Sequence, residues 1–296
     1  RVIILSKHHK RHGLLAFLGR LISSPLALFI NLALARNLST PDFGIYSLFI
    51  SIMAYFQLVG SAGNFELLQK HIPHSADVER TTSYLSGAHV LNIGVICLLM
   101  TLSLTVFSPT LQEYTNSHFQ DLHAYFAGIA LLSCFSQNLT ATLVARGFVW
   151  QANLLDRGVT NAVNLGVIVS VILNNDLTLS TALVALLIGR GSSFFLQLSL
   201  LIKTGLISLR HRIYLSFFKA NEYLNILGSV ITLRIAATVS PLFIAAFLES
   251  EEIGFYGVAF LLANISSIGI AIVNSTYSKD IAENYKQRNR ERISSI

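Results

Sequence analysis

Asn37-Leu38-Ser39-Thr40-Pro41-Asp42-Phe43-Gly44-Ile45-Tyr46 is a turn set between two apolar runs, Leu14 to Ala35 before it and Ile45 to Gly63 after it. The first run is long enough to cross a bilayer, because roughly 20 mostly apolar residues rising ~1.5 Å each cover a hydrocarbon core of ~30 Å. It carries a single charge, Arg20. Ser39 and Thr40 are cap candidates, and Pro41 behind them suits the first turn of a new helix, where its missing N–H has no partner to lose. The second run then crosses back. The stretch is therefore a transmembrane hairpin, and a version of it returns late in the chain, where Glu252-Ile253-Gly254-Phe255-Tyr256 answers Asp42-Phe43-Gly44-Ile45-Tyr46.

Composition points the same way. With 53% hydrophobic residues, 12% charged residues and a mean hydropathy of +0.60, a 296-residue chain has too little polar surface to coat a soluble globule. An all-α, polytopic transmembrane helix bundle is expected. The net charge of +6 does not imply nucleic acid, since Lys and Arg gather in loops and form no basic face interleaved with aromatics. Cys97 and Cys134 fall inside apolar runs and read as packing residues, not as a disulfide or a thiolate metal site. The basic leader followed by Ala33-Leu34-Ala35 has the look of a signal peptide, but its apolar run exceeds the usual ~7–15 residues, contains Arg20 and is followed by further spans. Because the chain begins with Arg1, its start is expected a little upstream.

Eight spans are read from the apolar runs: 14–35, 45–63, 84–106, 122–145, 154–173, 179–202, 223–248 and 256–276. The loops test this threading, because cytoplasmic loops carry an excess of Lys and Arg. Arg1, Lys7, Lys10 and Arg11, then Lys70 and Arg80, then Arg146, then Lys203, Arg210, Arg212 and Lys219, and finally the basic tail from Lys279 to Arg292 all fall on one side. The other side holds Asp42, Glu113, Asp121, Asp176, Glu249, Glu251 and Glu252, with Arg36 its only basic residue. Both termini are predicted to be cytoplasmic. Residues 1–202 form a first six-helix lobe, 203–222 a cytoplasmic linker and 223–296 the start of a second lobe. In the linker Leu206, Leu209, Ile213 and Phe217 recur at helical spacing opposite Arg210 and Lys219, which suits a helix lying in the membrane plane.

Of the 21 Lys and Arg residues, only Arg20, Arg157, Arg190 and Arg234 fall inside spans. An arginine at mid-bilayer costs about 2.5–3.5 kcal/mol even on the lenient insertion scale, so it faces a watery cavity or a partner. Arg190 sits midway along its span and Arg234 well inside its own. Arg20 is roughly 9 Å in by helical rise, deep enough to line a cavity mouth. Arg157, read at the end of a span and beside Asp156, can snorkel to the interface or pair locally. No Asp or Glu lies near the middle of any span, and unpaired guanidinium groups in a cavity suit an anion, above all a phosphate. Asn31, Gln57, His89, Asn92, Gln137, Asn138, Asn161, Asn164 and Asn264 also lie in spans; helix-to-helix hydrogen bonding accounts for most, and His89 reads as an interfacial or packing residue. No Gly-rich phosphate loop, HExxH, Cys/His metal spacing or nucleophile elbow appears, and no loop is long enough for a catalytic domain.

The segment Ala33 to Tyr46 in the first lobe, together with Ile253-Gly254-Phe255-Tyr256-Gly257-Val258-Ala259 in the second, resembles the polysaccharide biosynthesis proteins that flip lipid-linked O-antigen or related repeat units. These belong to the multidrug/oligosaccharidyl-lipid/polysaccharide exporter superfamily. The resemblance implies a flippase of the bacterial cytoplasmic membrane that moves an undecaprenyl-pyrophosphate-linked oligosaccharide between leaflets by alternating access, with Arg20, Arg190, Arg234 and, more weakly, Arg157 holding the pyrophosphate. Its partners would be that substrate, membrane lipids and other polysaccharide-assembly proteins; no nucleic acid, metal or cofactor is implied. The family's twelve to fourteen spans exceed the eight read here, so the second lobe is expected to continue beyond Ile296 and the chain alone not to complete a transport cycle. Alternatives are a multidrug or other small-molecule antiporter, which needs a carboxylate in the membrane interior, an integral-membrane glycan polymerase or glycosyltransferase, which needs acid and base groups near a membrane surface, and a scaffold in which the buried arginines do nothing.

Overall fold

The computed structural model of the chain describes residues 23, 25–61, 63–74, 77–105, 118–208, 221–226, 228, 229, 252, 255 and 259. The described residues are helical with short turns and contain no strand. In order they are α1 (25–37), α2 (Thr40–Ser61), α3 (Asn64–His71), α4 (Val78–Thr105), α5 (His118–Ala145), α6 (Val149–Leu173) and α7 (Leu179–Lys203). Five are long and apolar enough to cross a membrane: α2, α4, α5 from Leu122, α6 and α7. These match the sequence-read spans 45–63, 84–106, 122–145, 154–173 and 179–202. The span at 14–35 is described only in its second half, and those at 223–248 and 256–276, with most of the 203–222 linker, lie largely outside the described residues.

Helix ends follow local chemistry. The Ser39 hydroxyl accepts from the Asp42 backbone N–H (3.3 Å) and donates to the Asp42 carboxylate (2.7 Å), so Ser39 caps α2 and Pro41 falls in its first turn. Thr178 and Thr181 cap α7 reciprocally, each side chain taking the other's backbone N–H. α5 closes on Gly147 at φ 90°, where Phe148 N–H reaches Leu143 O and Gly147 N–H reaches Val144 O, both at 2.9 Å. That left-handed closure excludes a side chain at little cost only for glycine. Asn175, at φ 57°, closes α6 in the same way.

α5 is the most enclosed of the five long helices and packs against α2, α3, α4, α6 and α7. One apolar cluster joins α2 to α5 through Phe126, met edge-on by Phe49 and Phe56 at 5.8 and 4.6 Å. A second gathers Leu68, Ile72, Leu85, Leu143 and Leu201 near the opposite end. Side chains such as Leu98, Leu173 and Phe195 point outward and stay exposed, as lipid-facing residues should. Between α3, α4 and α5 lies a buried amide cluster: Asn92 is best satisfied with its nitrogen donating to the Gly60 and Ala88 carbonyls (3.0 Å each) and its oxygen accepting from Asn138 Nδ2 (2.9 Å). Asn64 Nδ2 donates to the Ala88 carbonyl (3.3 Å). Such bonds join helices where apolar contact alone gives no preference over lipid. His89 is a packing residue, its ring 4.6 Å from that of Phe135.

Three loops that the charge pattern puts on one side meet at one end of the bundle. Arg146 Nη2 donates to Thr81 Oγ1 (2.6 Å), and Ser208 N–H donates to Thr82 Oγ1 (3.2 Å). At that end Lys70 Nζ also donates to Glu222 (2.5 Å), with His71 Nε2 at 3.0 Å from the same oxygen. The Lys70 hydrogen bond holds the Glu222 carboxyl below the usual carboxylate range.

Candidate functional site

Where α2, α5, α6 and α7 face one another, they enclose a cavity of about 370 Å³. Ala54, Gln57 and Leu58 come from α2, Gln137 from α5, Asp156, Arg157, Thr160 and Asn161 from α6, and Arg190 from α7. Two of the four arginines singled out from sequence, Arg157 and Arg190, are thus brought to one cavity. Arg20 and Arg234 lie outside the described residues.

The local shape of α6 sets this geometry. It runs as α-helix over Val149–Asn153, widens to a π-helical turn over Leu154–Val159 and resumes as α-helix over Thr160–Leu173. The wide turn contains Asp156 and Arg157 and leaves the Asp156 carbonyl to side chains, the Thr160 hydroxyl donating to it and the Ser193 hydroxyl at 3.5 Å. Opposite it, Gly189 lets α7 come close: a Cβ there would stand 2.6 Å from the Thr160 carbonyl oxygen. Two backbones can approach to that extent only where one of them has no side chain. The next residue, Arg190, then reaches Asp156.

The structure corrects the reading of the arginines as unpaired. Arg190 Nη1 lies 3.6 Å from Asp156 Oδ1, the two side chains being only 20% and 17% exposed. The helix begins at Val149, not at residue 154, so Asp156 and Arg157 lie about 10 to 12 Å along it by helical rise instead of at its end. At that depth Asp156 pairs across to α7, and Arg157 lines the cavity. The Arg157 side chain is exposed there.

At 3.6 Å the pair with Asp156 is an ion pair without a hydrogen bond, and Arg190 Nε is buried with no partner. Arg190 is therefore compensated in charge but not in hydrogen bonding. Gln137 Oε1, also on the cavity wall, is likewise unmatched, whereas Asn161 spends its amide on the Ser23 carbonyl (2.9 Å). Behind Asp156 runs a buried polar chain: Ser136 Oγ donates to Asp156 Oδ1 (3.2 Å), Gln197 Nε2 donates to Ser136 Oγ (2.9 Å) and Ser193 Oγ (3.0 Å), and Thr140 Oγ1 donates to Gln197 Oε1 (3.2 Å). Sequence reasoning noted Gln57, Gln137 and Asn161 as polar residues inside spans, but not Ser136, Ser193 or Gln197. An acid eight positions into a span would have drawn attention to Asp156 had the start of α6 been read correctly. Among the described residues no cluster of His, Cys, Asp and Glu is arranged to hold a metal.

Fold and cavity together define a multi-pass helical membrane protein with two arginines and one acid turned to an interior space. The chain belongs to the polysaccharide biosynthesis protein family, whose model matches residues 10–277. A search of curated proteins finds no significant match. Among solved structures, a protein designated protein A superposes with a TM-score of 0.75 at 12% identity, over 95% of this chain and 66% of its own. That likeness is one of fold, and the chain spans just under two thirds of that protein's length.

Proposed function

We propose that the chain is part of a flippase that carries a lipid-linked oligosaccharide pyrophosphate across the bacterial cytoplasmic membrane by alternating access, without covalent chemistry or a cofactor. Family membership supports polysaccharide assembly. The observation that carries the mechanism is Arg190: a guanidinium neutralised by Asp156, with its Nε donor unspent, on the wall of a cavity that Arg157 also lines. Guanidinium binds phosphate through paired, charge-assisted hydrogen bonds, which is the capacity left open there. A volume of about 370 Å³ suits a diphosphate and an adjoining sugar, with the lipid tail left in the bilayer and the rest of the glycan reaching outside the described wall. Arg20 and Arg234 are assigned to the same anion path. On this reading 1–202 is one lobe, 203–222 the linker and 223–296 the opening of a second lobe that rocks against the first.

The test is surface glycan in a strain lacking its own flippase, complemented with the complete protein. Replacing Arg157 and Arg190 together by alanine should abolish export while membrane levels stay normal; wild-type export from that double variant would refute the anion-cavity mechanism. Asp156 gives a specific ground for the antiporter reading, since it supplies the carboxylate in the membrane interior that such a carrier needs. Drug resistance conferred by the protein, with glycan export unaffected by its loss, would favour that second reading.

A further inference from the structure

Building on the pyrophosphate reading, we propose that Asp156 is the exchangeable counter-ion of Arg190, tethered by Ser136, and that it sets how tightly the cavity holds its anion. Three observations converge. The Asp156 carboxylate stands 3.6 Å from Arg190 Nη1, close enough to neutralise it and too far for a hydrogen bond. The same oxygen, Oδ1, accepts a hydrogen bond from Ser136 Oγ at 3.2 Å, so the hydroxyl competes with Arg190 for it. Arg190 Nε, buried, has no acceptor at all.

The tether is firmly built. Ser136, Ser193 and Gln197 are fully buried, Gln197 Nε2 donates to both serine hydroxyls, and Thr140 Oγ1 fixes the Gln197 amide by donating to its oxygen. With the Gln197 amide donating to its oxygen, the Ser136 hydroxyl hydrogen is directed toward Asp156. The network therefore holds the carboxylate short of full contact with Arg190. A phosphate entering the cavity can take the Nε and Nη donors as a pair, and Asp156 then yields its share of Arg190. Without the carboxylate, the cavity would hold two uncompensated guanidinium groups against a dianion and release it slowly. A carrier needs binding strong enough to load and weak enough to unload. Asp156 supplies the second condition.

A structural role and this role predict different signs. Asp156→Asn removes the competing charge and keeps the shape, so it should bind anion tighter; Ser136→Ala frees the carboxylate to close on Arg190, so it should bind anion more weakly. The measurement is calorimetric titration of inorganic pyrophosphate into the full chain in detergent, at fixed pH and salt, with melting temperatures taken alongside. We expect Asp156→Asn to tighten binding about tenfold, the scale of one opposite charge removed from a partly buried site. Ser136→Ala should weaken it about threefold, the scale of one modest hydrogen bond, and Arg190→Ala should abolish it. Equal or weaker binding by a folded Asp156→Asn variant overturns the proposal while leaving the pyrophosphate reading in place. Should Asp156→Asn not fold, Ser136→Ala decides: unchanged or tighter binding overturns the counter-ion role. If the wild type takes no pyrophosphate, or Arg190→Ala binds it equally, both the reading and this inference fall.

Discussion

Arg190 holds a positive charge midway along a membrane-crossing helix, where an uncompensated arginine costs about 2.5–3.5 kcal/mol. The ion pair with Asp156 offsets part of that cost and the cavity offsets more, but neither satisfies Nε. Arg190→Lys separates charge from geometry: it keeps the cation and loses the planar fork that grips two oxygens. In the complete protein, export with lysine should fall roughly ten- to a hundredfold, the scale of one or two charge-assisted hydrogen bonds, measured as surface glycan normalised to protein level. Export equal to wild type would mean that only charge matters there. The arginine was legible in the sequence because a cation in a long apolar run stands out. Its partner was not, because Asp156 is 34 positions away and nothing in a linear string says that α6 and α7 meet at Gly189 and Thr160.

α6 is the element whose irregularity matters. Its apolar run is read from residue 154, whereas the helix begins at Val149 and takes in the polar Gln151 and Asn153. The π turn over Leu154–Val159 carried no sequence signal apart from Gly158, since it forms where the Thr160 hydroxyl of α6 itself and the Ser193 hydroxyl of α7 reach the loosened backbone. The other four long helices are regular, although α2 and α4 also begin earlier than their apolar runs, at Thr40 instead of 45 and at Val78 instead of 84. Contact between α6 and α7 should be brittle at one position. Gly189→Ala would place a methyl 2.6 Å from the Thr160 carbonyl, a backbone atom that cannot rotate aside. Overpacking of this kind costs about 1–3 kcal/mol, so the melting temperature in detergent should drop and pyrophosphate binding weaken together. Gly166→Ala on α6 meets nothing within 4 Å and should be neutral or stabilising, by up to about 1 kcal/mol from helix propensity. Equal melting of both variants would show that the α6 and α7 approach is not close in solution.

For the molecule as a whole, the direction of the proposed transport depends on which end of the bundle faces the cytoplasm. The loops carrying Arg80, Arg146 and Lys203 converge at one end, joined through Thr81 and Thr82, while the turn from Asn174 to Thr178 closes α6 and α7 at the other. This convergence is what the alternating pattern of basic loops demands, and it was legible because charge bias acts loop by loop and needs no tertiary information. On that bias the basic end is predicted to be cytoplasmic. Thr204 and Asn174 are both exposed and sit just beyond opposite ends of α7 and α6. In a background with Cys97 and Cys134 replaced, Asn174→Cys should react with a membrane-impermeant thiol reagent in intact cells, and Thr204→Cys should react only after permeabilisation. Reaction of Thr204→Cys alone in intact cells would invert the bundle and place the Arg157 side of the cavity nearer the outside. Reaction of both would mean that α7 does not cross the membrane. The predicted pattern puts Arg157 in the cytoplasmic half of α6 and Arg190 on the facing wall, the order in which a pyrophosphate loaded from inside would meet them.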